Sequence, residues 1–563
     1  MADLKLSGLP KATRVSATDS IFLNDDGKTK TSPVSYLPTG ANNGEYTINF
    51  EDKLQESLAS GRYESSGYNN YKKTAMYMKN AIKLAVTDVH NKGGGTILFE
   101  KLYEVNGGLA AWEIDNVNNV TFRGVGEAGF IKPDPKTQSA GKSTGYQHFG
   151  YIRHCNNLRF INMQFIGRQT DMPQLYQADY GVEIHSGDGI YFEGCTFANM
   201  NDACLVVGNE TVSETDGLDC TKNVYVNKCK FLNTWQTSTT QNGVYNYWFT
   251  NNYVAGGATK FAQRLPNGDN IHVLNNVYKV HDSFIGNPME FCNYNNVWIQ
   301  DNVVICGEKT SGAMSLYYNT HADTNYYQTH KSITITGNKI YNGNTGIYFN
   351  HGVADYPAIR AVIKNNTFEG GLASKAISIA GYFNTLEICD NLIQNTSGIG
   401  LCVGTNSAKA VVDKLYFENN IIQNIAKTPI FLNQYINYLK FKGNYIENNV
   451  GYPLIKAGDG TASATIKVFE FKNNYLKNNS SGQPIMQTQT GNYNFVMMYD
   501  NYIVGTATGF YNFPATTVML AGNYIKTSNA PMQFPSGNST TVYTIDNVLS
   551  KSITLNGATE VAK

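Results

Sequence analysis

Residues 281–306 read HDSFIGNPMEFCNYNNVWIQDNVVIC, and the two halves of this stretch obey different rules. The second half alternates apolar and polar residues as a strand does, yet holds Asn-Asn and Asp-Asn pairs that disfavour strands. The first sets Asp282 and Glu290 around a Gly-Asn-Pro turn. Aligned on its Asn, the second half recurs as FTNNYV, VLNNVY, IQDNVV, ITGNKI, IKNNTF, ICDNLI, FENNII, FKGNYI, FKNNYL, MYDNYI, LAGNYI and TIDNVL. The period is irregular, roughly 22 to 36 residues, within the range of solenoids and propellers.

One strand-turn unit cannot bury its own apolar face, so the copies must stack on one another. A propeller needs four strands per blade, and a leucine-rich repeat needs Leu at fixed offsets; neither pattern is present. The fold read from the repeat is all-β, a right-handed single-stranded parallel β-helix over residues 95–547. Its hand follows from the preference of parallel crossovers. A coil that turns sharply at one place in every rung favours Asn there, because Asn tolerates the left-handed conformation. Amides stacked about 4.8 Å apart also suit a hydrogen-bonded ladder. The expected column runs through Asn252, Asn276, Asn302, Asn338, Asn366, Asn391, Asn420, Asn444, Asn474, Asn501, Asn523 and Asn547. Met163, Cys195 and Cys229 continue it upstream as inward packers.

Lys plus Arg and Asp plus Glu each number 44, without a basic block, so no nucleic-acid footprint is expected. No apolar run is long enough to cross a bilayer, and the start lacks a signal h-region. Nine cysteines show neither a CxxC pair nor a metal-ligand cluster and read as buried thiols. His185, His281 and His321 lack the spacing of a metal site, and no phosphate loop or GxSxG elbow is found. No cofactor is expected.

The open end of such a coil needs a cap. In YKKTAMYMKNAIKLAVTDVHNKGGG, Ala75, Met78, Ile82, Ala85 and Val89 fall on one helical face, with a stop at Gly93. Upstream, residues 39–70 are polar and Gly/Ser-rich and read as a linker or entry segment. Residues 1–40, with short alternating runs, are too few to be stable unless they dock or oligomerise, and 548–563 read as a tail.

MADLKLSGLPKATRVSATDSIFLNDDGKTKT resembles the short anchoring segment that opens many bacteriophage tailspikes. AMYMKNAIKLAVTDVHNKGGGTILFEKLYEV resembles the helix and Gly-rich first strand of the pectate-lyase-like superfamily, and the long coil is similar to the body of such tailspikes. The resemblance implies a homotrimer, anchored through its N-terminus to baseplate or tail proteins of the virion and assembled in the host cytoplasm. It also implies binding and cleavage of a bacterial capsule or O-antigen polysaccharide.

Extra residues in a rung emerge as loops, where sites concentrate. The long early rungs place the expected groove between residues 168 and 330, with insertions at 167–181, 208–220, 233–248 and 319–332. Hydrolysis of a glycoside uses two carboxyls, about 5–5.5 Å apart for retention and about 6.5–9.5 Å for inversion. Counted from the ladder, Asp202 follows Cys195 by seven positions and Asp282 follows Asn276 by six, which places both in one turn column about 14 Å apart. Glu308, six past Asn302, stands one rung above Asp282, about 5 Å away if no bulge intervenes. Glu290 falls on the next face of the Asp282 rung. The expected catalytic group is Asp282 with Glu290 or Glu308, with Asp202 as alternative acid or substrate contact. NDACLVV around Asp202 resembles the acid-bearing turn of polygalacturonase-type β-helices, with one of their two adjacent acids.

Acids in such turns also serve simply to satisfy local backbone groups. Trp235, Tyr317, Tyr318, Tyr326 and Tyr327 are candidate sugar platforms, Trp248 sits in strand rhythm as a packer, and Arg168, Arg264 and His321 suit an acidic sugar. β-Elimination by His281, Lys260, Lys279 or Tyr317 and glycan binding without cleavage are the competing functions.

Overall fold

The computed structural model describes residues 20–25, 28–33, 46–60, 70–105, 112–132, 148–167, 181–208, 220–240, 243–262, 269–292, 294–317, 332–351, 358–404, 410–449, 451–459, 463–537 and 539–562. The chain divides into two compact units, Met1–Tyr46 and Thr47–Lys563. In the first, Ser20–Asp25 pairs antiparallel with Lys28–Pro33.

The second unit is a coil of parallel strands. Asp269–Leu274, for example, pairs in parallel with Val244–Thr250 on one side and with Asn296–Gln300 on the other. Along each strand the burial alternates, as in Asn296–Gln300, where Val297 and Ile299 point into a dry interior. Phenylalanines stack inside from rung to rung: Phe122, Phe160 and Phe192 succeed one another at 4.8 Å.

The Asn column is present in full. From Asn252 to Asn523 each member is at most 2% exposed. Each Oδ1 accepts the main-chain N–H of the preceding column member at 2.8–3.1 Å. The Nδ2 of Asn302 donates both to the Asn338 Oδ1 at 2.9 Å and to the Val273 carbonyl at 2.8 Å. Every polar atom of the amide thus replaces water that the turn excludes. Upstream, the Cys195 and Cys229 thiols donate to the Phe160 and Phe192 carbonyls at 3.2 and 3.4 Å, and the Cys229 N–H is received by Asn252. Burial first, and then the neighbouring Cys195, push the Cys229 thiol well above its ordinary range. A thiol therefore occupies the amide's place as a weaker donor.

One expectation is corrected. The ladder asparagines are not the left-handed residues; the residue before each one is. Asn251, Asn275, Asp301, Gly337, Asn365, Asp390, Asn419, Gly443, Asn473, Asp500, Gly522 and Asp546 all have φ between 49° and 69°. The Asn-Asn, Asp-Asn and Gly-Asn pairs therefore divide two tasks, an exposed or half-buried residue that turns the chain and an amide that bonds to the next rung.

The helix Asn70–Asn91 covers the open end with Met78, Ile82, Ala85 and Val89 buried, and Gly93 turns the chain out at φ 86°; the side chain of Ala75 lies outside the described residues. The segment expected to be a linker instead contains a strand, Thr47–Asn49, which pairs with Gly95–Phe99, and a second helix, Phe50–Ala59. Asn49 caps that helix, accepting the Glu51 N–H at 2.9 Å, and the buried Phe50 ring stacks on Phe99 at 4.5 Å. One aromatic anchor and one cap are enough here, too sparse a pattern to show as periodicity. The far end is corrected as well: Thr559–Ala562 pairs in parallel with Thr541–Ile545, so pairing continues past Asn547 into the expected tail.

Asn338→Ala strips buried partners from Asn302, Ile299 and Asn366 and should destabilise by on the order of 3 kcal/mol. Asn365→Ala should cost about 1 kcal/mol through its left-handed φ, and Asn365→Gly about nothing. Denaturant midpoints of the three variants check the division of labour.

Candidate functional site

The strand Val277–Val280 runs into a turn held by the Phe284 N–H donating to the His281 carbonyl at 3.0 Å. Phe284 is buried and packs against Trp235 at 5.0 Å. One rung on, Val303 lies opposite Val277, and the Lys309 N–H reaches the Asp282 carbonyl at 3.3 Å. The register therefore holds from Val277 as far as Asp282 and sets Glu308 beside it, as the six-residue count predicted. Beyond that point it slips, with Gly286 bridging Thr310. Asp282 and Glu308 are both exposed and line one open cavity of about 680 Å³ with Lys309, Ser311, Asn342 and Asn344.

Glu290 does not join them. It lies on the next face, on the strand Met289–Cys292, half-buried, and accepts a hydrogen bond from the Tyr317 hydroxyl. Burial first, and the Glu290 carboxylate second, raise the Tyr317 hydroxyl above its ordinary range. Tyr317, expected as a sugar platform, is thus tied to an expected acid. Asp202 belongs to the strand Thr196–Val207 and not to a turn. A register shift between Met200 and Ala203 sets Asn201 and Asp202 opposite Trp235 alone. The Asp202 side chain lies outside the described residues, as do Arg168, Arg264, His321, Tyr318, Tyr326, Tyr327 and the side chain of Lys260.

The expected insertion at 233–248 is also corrected, since most of it is strand, Lys230–Thr240 and Val244–Thr250. Its hydroxyls find partners inside the coil: Ser238 meets the Tyr247 hydroxyl at 2.8 Å, and Thr237 meets Thr259 at 2.5 Å. Trp235 is half-buried against Phe284 and so serves partly as packing. Trp248 is packed, as expected. It belongs to an outward column, Tyr191, Tyr225, Trp248, His272 and Trp298, whose rings stack at 4.4–5.1 Å within 6° of parallel. Rings stacked in this way spend their faces on one another and present edges, which rules the column's inner members out as sugar platforms.

Sequence reasoning missed Lys309, Asn342 and Asn344 as cavity residues. Asn344 stands six past Asn338, so the count that found Glu308 also falls on it, although its N–H bonds to Thr310 after the slip. A second cavity of about 400 Å³ lies outside the expected groove, between Tyr382, Tyr435 and Lys467. Its carboxyl, Asp413, accepts from Asn437 at 2.7 Å, so it offers no acid pair.

Residues 326–496 match the family model of the right handed beta helix region, and the coil is a right-handed parallel β-helix. No curated protein matches the sequence. Among solved structures, the chain is similar to a tailspike protein mutant of E. coli bacteriophage HK620 in complex with a pentasaccharide, at 14% identity over 83% of this chain and 79% of that one, TM-score 0.41. It is similar to the Dettilon tailspike protein at 14% identity over 75% and 68%, TM-score 0.36. It is also similar to an exopolygalacturonase from Thermotoga maritima at 10% identity over 79% and 91%, TM-score 0.31. Similarities of this size carry no function across.

Tyr317→Phe removes the hydroxyl that donates to Glu290 and should destabilise by about 1 kcal/mol. Asp282→Asn and Glu308→Gln, at exposed positions, should stay within about 0.5 kcal/mol of the parent. Thermal unfolding of the three variants separates the structural carboxyl from the two free to act.

Proposed function

We propose that the chain is a phage tailspike that binds a bacterial surface polysaccharide, capsule or O-antigen, and depolymerises it by hydrolysis with Asp282 and Glu308. The observation that carries this reading is the meeting of two exposed carboxyls on adjacent rungs in one open, polar cavity. One carboxyl protonates the departing glycosidic oxygen, and the other acts at the anomeric carbon, directly or through water. Lys309 supplies positive charge beside them, and Asn342, Asn344 and Ser311 offer donors and acceptors suited to sugar hydroxyls.

Glu290 is assigned to positioning through Tyr317. The rigid flank of a long coil suits an extended polymer better than a small substrate, which favours a polysaccharide. The remaining assignments rest on the resemblance of the opening segment to tailspike anchors. They are attachment to the phage baseplate or tail through residues 1–40, assembly as a homotrimer in the host cytoplasm, and residence in the virion.

Purified protein screened against polysaccharides from a panel of capsulated strains should release oligosaccharides with new reducing ends from at least one. Asp282→Asn and Glu308→Gln should each lower that rate at least about 100-fold with unfolding temperature unchanged. Full activity in both variants rejects the pair; binding without new ends makes the protein an adhesin.

A further inference from the structure

Farther along the coil, the cavity between Tyr382, Tyr435 and Lys467 is built on a plan of its own. Tyr382, Val411 and Tyr435 stand opposite one another on three successive strands, Lys375–Cys389, Ala410–Glu418 and Gln434–Lys442. They face outward, because the neighbouring Phe383, Val412 and Ile436 are at most 2% exposed. Two rungs separate the tyrosines, about 10 Å at the stacking distance. The shorter Val411 lies between them, so the cavity they line is a slot flanked by two aromatic rings over an apolar floor. Its volume of about 400 Å³ falls within the range of small-molecule sites, roughly 300–1,000 Å³. Among the described residues it shares no lining side chain with the Asp282 cavity.

A charge of each sign stands beside the slot. Asp413 follows Val411 by two positions along one strand and so projects on the same side, exposed, at the end of the middle rung. One of its oxygens accepts from Asn437 Nδ2 at 2.7 Å, which fixes the carboxylate and leaves its other oxygen for a ligand. Lys467 stands one rung beyond Asn437, since Ile436 lies opposite Ile466, and its ammonium sits 5.4 Å from the centre of the Tyr435 ring. The rung of Asn437 thus separates the two charges. Among the described residues neither Asp413 nor Lys467 forms an ion pair. Opposite charges left without partners along one cavity complement a ligand that carries both signs. A cation midway between the tyrosines would lie about 5 Å from each ring, inside the reach of about 6 Å over which an aromatic face attracts it.

We propose that this cavity binds a phosphocholine group. The trimethylammonium enters the slot, where the faces of Tyr382 and Tyr435 attract it and its methyl groups cover Val411. Asp413 supplies the counter-charge at the slot's end. The phosphate, two carbons along the choline chain, pairs with Lys467 beyond the Tyr435 ring and accepts from the second N–H of Asn437. The slot favours the quaternary ammonium over a primary one. A primary ammonium brings three N–H donors that need acceptors, and two rings, a valine and one half-engaged carboxylate do not satisfy them. A trimethylammonium has none to satisfy and loses little on leaving water. Binding is non-covalent, with no bond made or broken.

The site is independent of the hydrolytic reading, and its test reads binding instead of cleavage. The full chain is titrated by calorimetry with phosphocholine, choline, phosphoethanolamine and inorganic phosphate. Phosphocholine should bind, with choline and phosphoethanolamine weaker by about tenfold or more and phosphate weaker still. Asp413→Asn and Tyr435→Leu should each weaken phosphocholine about tenfold, whereas Lys467→Met should weaken phosphocholine and leave choline unchanged. All three variants lie on the outside of the coil and should melt with the parent. Phosphatidylcholine vesicles form a second arm. Co-sedimentation that free phosphocholine reverses assigns the group to a lipid, and binding of the free compound alone assigns it to a soluble ligand; both support the site. The proposal is overturned if phosphocholine does not bind the parent, if its affinity is unchanged in Asp413→Asn and Tyr435→Leu, or if phosphate or phosphoethanolamine binds equally well.

Discussion

The hydrogen bond from the main-chain N–H of one ladder asparagine to the side-chain oxygen of the next is the contact on which the rest depends. It joins residues that are 22 to 36 positions apart in sequence, as from Asn501 to Asn523 and from Asn302 to Asn338. Because the amide is buried and fully bonded, a slip of one residue would bury polar atoms without partners and turn the apolar face outward. The ladder thus fixes register at one corner of every rung. Everything within a few residues of that corner inherits its position.

Asp282 and Glu308 are close enough to inherit it. Six residues beyond the ladder the two rungs still match, and the carboxyls share a cavity; a few residues later the match is lost at Gly286 and Thr310. The same rule explains why Glu290 stands apart. It belongs to the following strand, where its outward neighbours are set by Ser315 in the next rung and by the Tyr317 hydroxyl. A coil of this kind makes sites where two rungs agree.

The sequence made the coil legible because a buried amide at a fixed corner tolerates few substitutes, and the repeat survives variable rung length. Cys195 and Cys229 were read correctly as column members for the same reason, since their flanking strands carry the register. The two-residue division of the Asn pairs was not legible: Asn suits both the left-handed turn and the ladder, and composition alone does not say which copy does which. The helix Phe50–Ala59 escaped notice because a single buried Phe and an Asn cap leave little periodic trace. In the site, counting found Glu308 but not Lys309 or Asn342, which line the same cavity.

The central claim is that the ladder carries register out to the carboxyl pair. Introducing Asp282→Cys together with Glu308→Cys tests it directly, since residues facing each other on adjacent parallel rungs lie within disulfide reach, about 4.4–6.8 Å between Cα atoms. Peptide mapping by mass spectrometry after mild oxidation should find the two joined within one chain. A pair that stays reduced, or a bond from position 308 to a cysteine placed at 290 in preference to 282, would contradict it.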